Sequence, residues 1–436
     1  KLVAIKKDNP LIVGVSEHGN FIASDVPAVL AHTNRVCYLN DREIAVLTKN
    51  SVEFFNMDGE PIYKEPETVT WSIDSAEKGG YEHFMLKEIM EQPRVLKETI
   101  QSVLGDGDNR RIIDSLDVSR FDRIVITACG SAYNASMVAK YVFERLCRVT
   151  VEVELASEFR YKDPIVGQST LVILVSQSGE TADTIAAMRE AKRKGAATVS
   201  VVNVIGSTIA RETDYTLYTM AGPEIAVATT KAFSAQLVLL YLLAVSFAKK
   251  LGKISKETED RLLSDIASLP GKAAGLLKRI DPVAKYAAGC VGCKSIFFIG
   301  RNIDYAIALE GSLKLKEISY IHSEAYAGGE LKHGTISLIE DNTLVVAISC
   351  CERLYEKIYS NVEQVISRGA RVLFIGNCIK AEPGEQLETI ELPEINELFA
   401  PSLSVICLQL FSYYVAANKG LDIDKPRNLA KSVTVE

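Results

Sequence analysis

Up to residue 70 the apolar positions come in short runs: Phe21-Ile22-Ala23, Val36-Cys37-Tyr38-Leu39, Glu43-Ile44-Ala45-Val46-Leu47 and Val52-Glu53-Phe54-Phe55. Turn residues at Asn40-Asp41 and Met57-Asp58-Gly59 separate them, so this stretch predicts short β-strands. Residues 64–80, rich in Lys, Glu, Gly and Pro, predict a linker. A helical period then covers 82–104. Beyond it, unbroken apolar runs alternate with amphipathic ones. Strands are predicted at 123–128, 169–175 and 197–202, and helices at 135–146 and 182–194. Continuous apolar strands alternating with helices predict parallel sheets wrapped by helices, an α/β fold.

The alternation occurs twice. The strand ending at Gly130 recurs at Phe297-Phe298-Ile299-Gly300, 170 residues on. The strand ending at Ser176 recurs at 344–349, offset by 173, and Gly195 to Asn203 recurs as Gly369 to Asn377, offset by 174. Three landmarks in one order at nearly one offset predict an internal duplication. The predicted organisation is a β-rich segment over 1–70, a linker and helix start over 71–99, α/β domains over 100–265 and 285–425, and a tail over 426–436.

Composition narrows the function. The chain of 436 residues is 47% hydrophobic and carries a net charge of −7, which disfavours a nucleic-acid partner needing a basic face. The most apolar run, 237–248, is shorter than the roughly 20 residues a bilayer span needs, so no membrane association is expected. Nine scattered cysteines predict free thiols and a cytoplasmic location. Cys290 and Cys293 form a lone C-x-x-C without a second ligand pair, so no metal is expected.

Ser176-Gln177-Ser178-Gly179-Glu180-Thr181 joins a strand to a helix. Three hydroxyls and a glycine in six residues exceed what one helix cap needs, and exposed N–H groups at a helix start favour an anion. The repeat's counterpart, Ser349-Cys350-Cys351-Glu352-Arg353, lacks the glycine and the hydroxyl cluster. That second unit instead concentrates Glu310, Lys314, Lys316, Glu317, Glu324, Glu330, Lys332 and His333. Glu310, Lys314 and Glu317 fall on one helical face. A loop is predicted at 327–330, and His333 just beyond it is a candidate acid or base.

The strings SQSGETADT (176–184), EGSLKLKEISYIHSEAYAGGELKHG (310–334) and PRNLAKSVTVE (426–436) closely resemble the isomerase half of the glucosamine-6-phosphate synthases, the glutamine–fructose-6-phosphate amidotransferases. The resemblance covers about residues 80–436. It implies two tandem doubly wound SIS (sugar isomerase) domains, preceded by the later part of a glutaminase domain. It further implies conversion of fructose 6-phosphate and ammonia to glucosamine 6-phosphate without a cofactor.

The resemblance also assigns roles. Ser131, Ser176, Gln177, Ser178 and Thr181 would hold the sugar phosphate. Ala132 stands where the family usually has a serine, one hydroxyl short, and Thr229 where a serine is common. Val227, Thr229, Lys314 and Ala430 would line the sugar pocket. Glu317 would move a proton between C1 and C2, and Lys431 would form a Schiff base with the ketose carbonyl. His333 would open the sugar ring from the neighbouring subunit, which implies a homodimer. Family members begin with a cysteine that hydrolyses glutamine; this sequence begins at Lys1, so glutamine is not expected to serve it as nitrogen donor. Two other readings are a non-catalytic sugar-phosphate sensor and a glucosamine-6-phosphate deaminase.

Overall fold

The computed structural model describes residues 1–7, 10–24, 26–30, 32–69 and 77–435. The N-terminal part folds as two small antiparallel sheets. One orders the strands Leu2–Ile5, Ile44–Leu47, Val52–Phe55 and Pro61–Ile62; the other orders Gly19–Ala23, Ile12–Ser16, Arg35–Tyr38 and Glu67–Thr68. Glu67–Thr68 pairs with Arg35 and Val36, so the β-rich part runs into the stretch read as linker. Residues 70–76 of that linker lie outside the described residues.

The two repeated units each build a five-stranded parallel sheet. In the first the strands are β1 (Arg123–Ala128), β2 (Thr150–Leu155), β3 (Thr170–Ser176), β4 (Ala197–Val202) and β5 (Tyr215–Tyr218), in the order β2-β1-β3-β4-β5. In the second they are β6 (Ser295–Gly300), β7 (His322–Ala327), β8 (Leu344–Ser349), β9 (Arg371–Gly376) and β10 (Leu387–Glu391), in the order β7-β6-β8-β9-β10. The two orders coincide, so the duplication seen in spacing is a duplication of topology. Every residue of β3 and β8 is buried, as strands covered on both faces by helices must be.

The helices include α1 (Phe84–Met90), α2 (Gln92–Leu104), α3 (Gly130–Cys147), α4 (Ala182–Arg193), α5 (Lys231–Lys250), α6 (Ile303–Ser319), α7 (Tyr355–Ile366) and α8 (Pro401–Asn418). The helix predicted over 82–104 is thus two. They meet at Glu91, and Pro93 sits in the first turn of α2, where its missing N–H costs nothing. The apolar run 237–248 is the centre of a longer helix, α5. By length and composition α5 could cross a bilayer, but 94% of its apolar window is buried inside the protein. Ser234 and Gln236 are buried with it, which extends the helix beyond its apolar stretch.

α3 packs on α5, α6 packs on α8, and α3 packs against α6. One apolar cluster runs through both units, from Met85 to Ile423. Where the helices cross, polar groups are paired in the core. Gln92 Nε2 donates to Gln409 Oε1 at 2.7 Å, and Ser234 Oγ donates to Gln92 Oε1 at 2.5 Å. Residues 327–330 are not a loop: Ala327 ends β7, and Gly328–His333 forms a tight 3-10 turn.

Candidate active site

The C-terminal ends of β1 and β3 open onto a cavity of about 430 Å3. Two helices begin at its wall, α3 after β1 and α4 after β3. Neither start is capped by a side chain. The Thr181 hydroxyl pairs with Ser176 Oγ at 3.1 Å instead of capping α4. Ser176 Oγ also accepts the Gly179 N–H, and Ser178 Oγ accepts the Glu180 N–H. The hydroxyls therefore shape the loop around a concavity with two helix N-termini converging on it, a geometry that favours an anion. Gly179 has φ +66°, and a Cβ there would stand 2.0 Å from Ser207 Oγ. Glu180 points away from the cavity and accepts the Thr208 N–H at 2.7 Å, tying the loop to the next crossover.

The opposite wall comes from the second unit. Lys314 and Glu317 of α6 reach the cavity and form an ion pair. Lys314 is 1% exposed, and Glu310 lies 3.5 Å away on its other side. Burial opposes the Lys314 charge, yet Glu317 and Glu310 outweigh it and hold the ammonium above the ordinary lysine range. Glu310 is pushed up to about 7, first by burial, with Lys314 pulling the other way. Asn134 of α3 donates to Glu310 at 2.8 Å, joining the two units beneath the cavity.

The chain's last segment forms the lid. Leu429 to Val433 line the cavity, and the Val433 carbonyl accepts the Ala182 N–H at the start of α4. Lys431 Nζ donates to Glu224 Oε2 at 2.6 Å and to the Ala226 carbonyl at 2.9 Å. Upstream, Asp424 accepts the Phe84 and Met85 N–H groups of α1, and its carbonyl accepts the Val227 N–H.

Of the residues singled out in the sequence, Ser131, Ala132, Ser176, Gln177, Ser178, Thr181, Val227, Thr229, Lys314, Glu317, Ala430 and Lys431 line this one cavity. His333 does not. It is exposed at the end of its 3-10 turn and lies outside the cavity of its own chain. Sequence reasoning missed Asp183, Gln236 and Glu224. Asp183 stood in the string already quoted. Gln236 and Glu224 sit in ordinary surroundings, and only folding brings them to the site.

The second unit's counterpart loop is built differently. Asp304, in the first turn of α6, is 2% exposed and accepts the Cys350 N–H at 2.9 Å. Burial pushes the Asp304 carboxyl up to about 7. An internal carboxyl thus holds the first N–H after β8.

A family model for the SIS domain matches residues 118–246 and again 291–419. The glutamine–fructose-6-phosphate aminotransferase (isomerizing) of Clostridium acetobutylicum is 52% identical over 441 residues, covering all of this chain and 72% of that protein. The chain belongs to the isomerising glutamine–fructose-6-phosphate aminotransferases. Among solved structures, the C-terminal domain of the Francisella tularensis glucosamine-fructose-6-phosphate aminotransferase is 38% identical, with a TM-score of 0.76 over 80% of this chain and all of that one. A glucosamine-6-phosphate deaminase from Thermotoga maritima is 25% identical, with a TM-score of 0.64 over 81% of this chain and all of that one.

Proposed function

We propose that this chain isomerises fructose 6-phosphate and, given ammonia, forms glucosamine 6-phosphate. The observation carrying this reading is the meeting of the Ser176–Thr181 loop, Glu317 and Lys431 around one cavity, although they come from two units and the tail. The sugar phosphate sits on Ser131, Ser176, Gln177, Ser178 and Thr181. Val227, Thr229, Lys314 and Ala430 bound the sugar. Lys431 attacks the ketose carbonyl, because an iminium makes the neighbouring C–H far more acidic than a ketone does. Glu317 then moves the proton between C1 and C2. Lys314, ion-paired with Glu317, fixes the direction of its carboxylate.

His333 completes the site from a second copy of the chain. Its exposure on a turn outside its own cavity suits a donor in trans and has no use in an isolated monomer. Residues 1–70 are the trailing part of a glutaminase-type domain, 100–265 and 285–425 are the two SIS domains, and 426–436 is the closing tail. The cytoplasm is the compartment that suits nine free thiols.

The test is direct. Fructose 6-phosphate with ammonium salts should give glucosamine 6-phosphate; a folded protein that yields none excludes the reading. Glu317→Gln should lose at least about 100-fold in isomerisation while keeping sugar-phosphate affinity. Lys431→Arg should leave no adduct after borohydride quenching. The likeness to a deaminase favours also running the reaction backward, from glucosamine 6-phosphate to fructose 6-phosphate and ammonia. Net flux in that direction at physiological ammonia would make breakdown the working role.

A further inference from the structure

Lys431 must be an amine to attack a carbonyl, yet it rests in an ion pair. Its partner Glu224 is fully buried. Glu224 Oε1 accepts the N–H groups of Thr230 and Ala232 at 2.9 and 3.0 Å, at the start of α5. Among the described residues, that leaves Oε2 for Lys431 alone. The second acceptor on Lys431, the Ala226 carbonyl, cannot take a proton. Glu88 of α1, also buried, grips the same loop from the other side by accepting the Ile225 and Ala226 N–H groups. Two buried carboxyls therefore hold the N–H groups of Ile225, Ala226, Thr230 and Ala232 and aim one oxygen at Nζ. This is more structure than a surface tether for a tail requires.

We propose that Glu224 is the proton shuttle of imine formation, taking a proton from the Lys431 ammonium and returning it to the departing hydroxyl. The proposal rests on the reading of Lys431 as the imine-forming residue. In the first step a Lys431 N–H bond breaks and a Glu224 Oε2–H bond forms. The freed nitrogen pair bonds the carbonyl carbon, and the carbonyl π pair moves to oxygen. An internal transfer from nitrogen to that oxygen gives the neutral carbinolamine. Glu224 then protonates its hydroxyl, the C–O bond breaks, water leaves, and the nitrogen pair forms the iminium. The proton borrowed is the proton returned, so the sequence neither takes up nor releases one.

Other ionisable groups around the pair support this economy. Glu88 is pushed up by burial and by the Glu224 charge beside it, so Glu88 tends to the protonated form while Glu224 is the anion ion-paired with Lys431. Glu224 itself is held low, because Lys431 and the two helix N–H groups overcome its burial. Lys231 is engaged by Glu91 at 2.7 Å, and Lys314 by Glu317 and Glu310.

The decisive measurement is the single-turnover rate of the Lys431 adduct with fructose 6-phosphate, quenched into borohydride at timed intervals between pH 7 and 9. Transfer inside an ion pair does not depend on bulk pH, so the wild-type rate should stay flat within about twofold. In Glu224→Gln the ammonium must lose its proton to solvent. The rate at pH 7 should fall about 100-fold and climb close to tenfold per pH unit, with sugar-phosphate affinity unchanged. Glu224→Asp keeps a carboxylate and should restore the flat profile at a lower rate. A glutamine variant with the wild-type rate and flat profile overturns the proposal, as does a wild-type rate rising tenfold per unit. If the glutamine variant fails to fold, the wild-type profile decides. Undiminished trapping in Lys431→Arg would overturn the imine assignment itself, a separate outcome.

Discussion

At Ala132 the cavity wall carries a methyl group beside Ser131, at the start of α3 where N–H groups converge on the anion site. A hydroxyl there would add one hydrogen bond to a charged group. Ala132→Ser should therefore tighten fructose 6-phosphate binding by about 1 kcal/mol, roughly fivefold, read by calorimetric titration. A second residue-scale expectation concerns Asp304. Burial raises its folded-state pKa to about 7, above the unfolded value, so the folded chain holds that proton more tightly. The resulting stabilisation is full below the ordinary carboxylate range and is lost as pH rises toward 7. Asp304→Asn should flatten the pH dependence of the unfolding free energy, read by urea titration between pH 5 and 7, by up to about 1.4 kcal/mol for each pH unit crossed. The hydroxyls and glycine of 176–181 were legible because an anion loop needs that local composition. Glu224 was not, because its meaning depends on Lys431, 207 residues away.

Among the elements, the six central strands of the two sheets could be read from sequence, since a strand covered on both faces must be apolar throughout; the edge strands β2, β5, β7 and β10, only partly buried, were not read. Helix limits were harder. The period ran on through Glu91 although Pro93 marked a new start, and α5 outran its apolar stretch because polar residues such as Gln236 are buried with it. The start of α1 could not be foreseen at all. His83 gives no cap, and Asp424 supplies both acceptors from 340 and 339 residues away. Asp424→Ala should cost about 1–2 kcal/mol in denaturant unfolding, the scale of a lost helix cap. It should also speed proteolysis of the tail, since Asp424 holds both segments together.

On the scale of the whole molecule, His333 outside its own cavity predicts exchange between subunits. Co-expressed His333→Ala and Lys431→Arg chains, each inactive alone, should form mixed dimers with one intact site, restoring about a quarter of wild-type activity if pairing is random. Two inactive parents whose mixture stays inactive would place His333 in its own subunit's site, or in none. The duplication was legible as three offsets. That the units share one core was not, because offsets say nothing about which faces meet.

The asymmetry of that duplication has a consequence for stoichiometry. In the second unit the Asp304 carboxyl already occupies the first N–H after β8, so that unit's anion-binding group is taken up by the polypeptide itself. A saturation curve for fructose 6-phosphate should therefore level off at one equivalent per chain. The ancestral duplication doubled the scaffold without doubling the capacity, and it left one copy free to become the wall and roof of the other's cavity.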